Sequence, residues 1–295
     1  MKRFLALILA ALMIFAVVSC DKKDETVKGI ENDAQVEEKE NNKENKKEQK
    51  KNYPDNILAD PFGQSSAVFN NRNVSKEHIK TITFLDKLEN VPADAWDASK
   101  DLDGSAMAWI TPELDLYVAG DGGVTASNCK GLFRNYGNVS SINFNGCFYT
   151  DLVDRITEMF MYCDNLETLD LSGWNTSNMK YMNAAFRDCN KLKSINLSGW
   201  DTSNVETMSM MFDGCICLEN VDVSHFDTSK VVGFSEMFSY CKKLPSIDLS
   251  NFDTSSAKSM QEMFKGCRSL TSIGDLKIPE GCITDGMFSE TPLAK

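Results

Sequence analysis

LKSINLSGWDTSNVETMSMMFDGC, running from Leu192 to Cys215, is the stretch on which the reading of the chain turns. At its start Ile195 and Leu197 alternate with Ser194 and Asn196, the pattern of a short strand with one buried face. A bend at Gly199-Trp200-Asp201 follows. Ser203 then stands three residues before Glu206, the spacing of a capping box that opens a helix. Val205, Met208, Met211, Phe212 and Cys215 recur at steps of three and four, which predicts one apolar helical face.

The same unit returns along the chain. Cys163, Cys189, Cys215, Cys241 and Cys267 step by 26 residues without a slip. Each but one follows a Met-Phe pair (Met159-Phe160, Met211-Phe212, Met237-Phe238, Met263-Phe264), with Ala185-Phe186 as the exception. Strand-like blocks recur at Leu169-Asp170-Leu171, Val221-Asp222-Val223 and Ile247-Asp248-Leu249, and aromatics at Trp174, Trp200, Phe226 and Phe252. Self-similarity at a fixed period of roughly 20 to 50 residues predicts stacked repeats, because one unit cannot bury its apolar face alone. The expected class is α/β: parallel strands on one face, short helices on the other, 26-residue repeats.

The consensus Leu-x-x-Leu-x-Leu-Ser-x-Trp-x-Thr-Ser-x-Val-x-x-Met-x-x-Met-Phe-x-x-Cys, as it stands in Leu192 to Cys215, resembles the repeat of the BspA-like leucine-rich-repeat surface proteins of host-associated bacteria. The likeness extends from near Ile79 to Phe288. It implies a right-handed leucine-rich-repeat solenoid. It also implies an adhesin-like function, recognition of a host matrix protein or other extracellular ligand through the repeats. A structural or antigenic surface coat, or a polysaccharide- or envelope-binding module, is the alternative.

Residues 1–20 are expected to be a lipoprotein signal peptide: Lys2-Arg3, an apolar run from Phe4 to Val18, then Val17-Val18-Ser19-Cys20. That run is shorter than the roughly 20 residues a membrane span needs. The closing motif looks like a lipobox, so Cys20 is the expected lipidation (palmitate) site, anchoring the chain in the cell envelope with the domain at the surface. Residues 21–56 are expected to be a polar, disordered tether, since Lys39 to Lys51 is Lys, Glu, Asn and Gln alone. Residues 57–128 are read as an amino-terminal cap with a degenerate repeat, and 129–295 as the repeat domain. The formal charge is -12 with no basic patch in the domain, which argues against a nucleic-acid partner.

Chemistry-bearing patterns are sparse. Gly120-Asp121-Gly122-Gly123 lacks the lysine of a phosphate loop and the spacing of a dinucleotide fingerprint. His78 and His225 are isolated, so no metal site and no catalytic residue is assigned, and no cofactor is expected. The repeated serines and Thr-Ser pairs answer a repeated structural need, turn closure and helix capping. Cys163, Cys189, Cys215, Cys241 and Cys267 are expected to form a buried thiol ladder rather than disulfides. Any binding face would be the outward side of the strands, where Thr168, Ser194, Asn220 and Ser246 form one column and Asp170, Asn196, Asp222 and Asp248 the next. The expected partner is an extracellular protein or glycan, with weak end-on self-association at the irregular last unit.

Overall fold

The computed structural model describes Leu58, residues 74–101 and residues 103–294. The signal peptide, the tether and Cys20 lie outside the described residues. Three sheets carry the fold. The first is mixed, in the order β2 (Trp96–Asp97), β3 (Ala106–Ile110), β4 (Asp115–Gly120), β1 (Thr81–Leu85), β6 (Ser141–Asn143). β1 runs parallel to β4 and β6, whereas β3 is antiparallel to β2 and β4. A second sheet pairs β5 (Val124–Thr125) with β7 (Phe148–Tyr149), and a third aligns β8 (Thr168–Asp170), β9 (Ser194–Asn196) and β10 (Asn220–Val221) in parallel. In the third sheet Thr168 faces Ser194 and Leu169 faces Ile195, an offset of 26 residues.

The expected helices are absent. Among the described residues there is no α-helix; the one helical element is a 3-10 turn at Lys76–His78. The expected alternation of strands and helices in a leucine-rich-repeat solenoid is therefore overturned. Hydrogen bonding from Met208 to Cys215 gives the reason. An α-helix would send every N–H four residues back. Here alternate N–H groups leave the segment: Met208, Met210, Phe212 and Gly214 donate to the carbonyls of Gly233, Ser235, Met237 and Ser239 in the next unit. The intervening Met211, Asp213 and Cys215 donate three residues back, to Met208, Met210 and Phe212. Met210 (φ 59°) and Gly214 (φ 74°) adopt left-handed backbone, which breaks any helical run. Glu236 and Tyr240, and Glu262 and Gly266, repeat the arrangement. A tight turn every few residues places Met208, Met211, Phe212 and Cys215 on one side just as a helix would. Spacing alone could not separate the two.

The caps have other duties. Ser203 and Ser229 donate backbone N–H to Asp201 and Asp227 two residues before, closing Asx turns at 3.0 Å. Thr176, Thr202 and Thr228 donate their hydroxyls to the carbonyls of Asp201, Asp227 and Asp253 in the following unit. These threonines are buried, so each hydroxyl bond joins neighbouring units at a point closed to water.

The core is one continuous apolar cluster. Phe133, Phe160, Phe186, Phe212, Phe238, Phe264 and Phe288 stack in succession with ring centroids 5.3 to 5.8 Å apart. Trp174, Trp200 and Phe226 form a second column at 6.4 Å. At the amino-terminal end Phe84, from β1, packs edge-on against Phe133 and stacks on Phe144, closing the core there.

Candidate functional site

A shallow, open groove lies beside the mixed sheet. β3 and β4 pair so that Trp109 stands opposite Tyr117. Both side chains point to the outer face, since Ala108, Leu116 and Val118 fill the inner one. Their rings stack face to face, centroids 5.4 Å apart and planes 9° from parallel. Thr83 and Asn143 continue this row across β1 and β6. In the neighbouring row the Thr81 hydroxyl donates to the Asp115 carboxylate at 2.7 Å.

The β3–β4 connection is a tight turn. Leu114 N–H donates to the Thr111 carbonyl at 3.0 Å, and Thr111 N–H to the Asp115 carbonyl at 2.9 Å. Closing it puts Leu114 at φ 73°, a costly conformation for a residue with a branched side chain. Above this turn opens a groove of about 810 Å³, lined by Asn90, Asp94, Trp109, Thr111 and Leu114 among others. Asn90 also has left-handed backbone, φ 55°. An aromatic wall with amide, carboxylate and hydroxyl groups on the rim suits a small ligand with an apolar face and a polar edge. The sequence made Trp109 visible as a large aromatic in irregular surroundings. Its partnership with Tyr117 depends on a hairpin turn through Leu114 that no glycine or asparagine announces.

The sequence-predicted ladder lies elsewhere. Thr168, Asp170, Ser194, Asn196, Asn220, Asp222, Ser246 and Asp248 are all exposed. The first six are on β8, β9 and β10 or beside them, and Ser246 bridges to Ser272. The second column does not simply project outward. Asp170, Asn196, Asp222 and Asp248 each accept the backbone N–H of the serine two residues on, at 3.0 to 3.1 Å. These bonds to the following serines hold the Asp170, Asp222 and Asp248 carboxyls below the usual range. One oxygen of each side chain is thus engaged in closing its own turn.

Cys163, Cys189, Cys215, Cys241 and Cys267 are fully buried and all five are free thiols. Each of the five donates its S–H to a phenylalanine carbonyl in the preceding unit, at 2.9 to 3.2 Å. Desolvation pushes these thiols up, Cys163 and Cys267 to about 12. Thiols so placed are poor nucleophiles and poor metal ligands. Among the described residues no group of three His, Cys, Asp or Glu could hold a metal ion.

Comparison with known proteins places the repeated part of the chain. A family described as Mycoplasma protein of unknown function, DUF285, matches residues 127–220 and 182–294, together more than half of the 295-residue chain. The chain belongs to this family. No curated protein and no solved structure matches it. The resemblance to BspA-like leucine-rich-repeat proteins is corrected accordingly: the matching family is a different one, and the described residues contain none of the helices such repeats need. The adhesin function that rested on that resemblance falls with it, because there is no leucine-rich-repeat solenoid to present a ligand face.

Proposed function

We propose that the chain is an envelope-tethered, non-catalytic protein that binds a saccharide in the groove beside Trp109. The observation that carries this reading is the Trp109–Tyr117 stack facing a concave, polar-rimmed surface. A pyranose ring has a C–H face that packs on an indole and an equatorial rim of hydroxyls. The indole supplies the apolar wall, and Asn90, Asp94 and Thr111 supply hydrogen-bonding groups at its edge. Tyr117 behind Trp109 fixes the ring, so little side-chain freedom is lost on binding. Lipid on Cys20 would hold the domain at a membrane surface, among envelope or extracellular glycans. The acidic charge supports a neutral or cationic partner over nucleic acid.

The test is titration calorimetry of residues 21–295 against neutral oligosaccharides and oligomers of N-acetylated amino sugars. Trp109→Ala should weaken binding at least tenfold with an unchanged melting temperature, while Asp222→Asn leaves it intact. Absence of binding to every saccharide by the folded wild type would refute the reading.

A further inference from the structure

Two closed turns wall the groove beside Trp109. In the first, Pro92 to Ala95, the Ala95 N–H donates to the Pro92 carbonyl at 3.0 Å; the second runs from Thr111 to Leu114. Together they bring Pro92, Asp94, Thr111, Pro112 and Leu114 to the lining. Each turn carries a proline, whose ring fixes φ and holds the wall in shape before anything binds.

The lining is polar only at its margin. Asn90 and Asp94 are exposed and Thr111 is half-buried, so none of these polar side chains is enclosed. Thr111 Oγ accepts the Asp115 N–H at 3.3 Å, which leaves the hydroxyl proton to donate to a ligand. Among the described lining residues there is no lysine, arginine or histidine. Asp94 is the charged one, and Glu113 stands exposed in the second turn.

Given the saccharide reading of the Trp109 stack, on which this rests, we propose that the groove takes an internal stretch of a linear, uncharged polysaccharide rather than a free sugar or a chain end. A free sugar or a terminal ring held specifically must bury hydroxyls on several sides, and each buried hydroxyl needs an enclosed partner. Among the described residues no enclosed polar side chain lines this groove. A shallow, open channel meets one face and one edge of a ring and leaves its linkages in water, where the chain continues both ways. One such contact is weak. A polymer repeats it along the wall while losing its translational and rotational freedom once. Acid without base at the rim disfavours uronic-acid, sulfated or phosphorylated chains.

The probes are β-1,4-linked oligomers of glucose and of N-acetylglucosamine, one to six units long, titrated into residues 21–295. In the series that binds, the hexamer should bind at least thirtyfold more tightly than the monomer, beyond the gain that multiple binding registers alone give. Opening the reducing-end ring of the hexamer with borohydride should change its affinity less than twofold. A galacturonate hexamer should bind at least tenfold more weakly than the neutral one. Trp109→Ala should weaken the neutral hexamer at least tenfold. A monomer that binds as tightly as the hexamer, loss of binding on ring opening, or equal binding of the acidic hexamer would overturn the internal-chain inference and leave the saccharide site standing. No binding of any oligomer by the folded wild type would refute the site itself, and the inference with it.

Discussion

Arg187 holds its guanidinium Nε 3.1 Å from the carboxylate of Asp213, one unit further along the ladder. That Nε makes no hydrogen bond, so the contact is an ion pair. Asp213 is 5% exposed, and desolvation pushes its carboxyl up to about 6 although Arg187 opposes the shift.

Stability should therefore carry a component that falls as pH rises. An aspartate ionising near 3.9 when unfolded and about 6 when folded binds more protons in the folded state between those values. Its contribution is complete below about pH 4 and is lost as pH climbs through 6, a change of about 3 kcal/mol at most. Asp213→Asn removes the titration. Urea unfolding at pH 4.5 and 7.5 should show the wild type losing ground relative to the variant, and parallel behaviour of the two would contradict this account.

The threonine bonds between units should carry measurable energy. Thr202→Val keeps the shape but deprives the Asp227 carbonyl of a buried donor 2.9 Å away. A loss of about 1 to 2 kcal/mol is expected, and Thr202→Ser should recover most of it. Equal stability of the valine variant and the wild type in denaturant titration would count against the bond.

Thiol reactivity should divide by position. With native protein at pH 8, iodoacetamide should modify the half-buried Cys217 and Cys282 while Cys163, Cys189, Cys215, Cys241 and Cys267 stay intact. Peptide mass spectrometry reads this directly. Modification of the five in step with Cys217 would mean the column opens far more readily than its packing implies.

Gly123→Ala should destabilise strongly. Gly123 has φ +94°, and a Cβ there would sit 2.7 Å from the Cys147 carbonyl oxygen, where β5 meets β7. Neither backbone can give way without breaking that pairing, so a cost of about 2 kcal/mol or more is expected. A melting temperature within a degree of wild type would show the local chain relaxing freely.

What the residues announce in this chain is spacing; what they conceal is conformation. Ser194-Ile195-Asn196 reads as a half-buried strand because alternation has few other causes, and β9 has that burial. The Met208 to Cys215 segment reads as a helix for a reason that fails: left-handed backbone at Met210, and at Glu236 and Glu262 in later units, falls on residues that favour helices. Only contact with the next unit, whose carbonyls take up the diverted N–H groups, makes that conformation pay. The groove shows the same limit. Pro112 marks the turn that brings Trp109 and Tyr117 together, but nothing in the sequence announces the left-handed Leu114 that closes it.

The forward-directed bonding of the ladder has a mechanical consequence. Among the described residues, each regular unit is joined to its neighbour by the same short set of bonds. A pulling force applied to the carboxyl end would therefore not rupture the domain at once. It would peel units away singly, and each 26-residue release would lengthen the chain by about 90 Å, giving evenly spaced force drops.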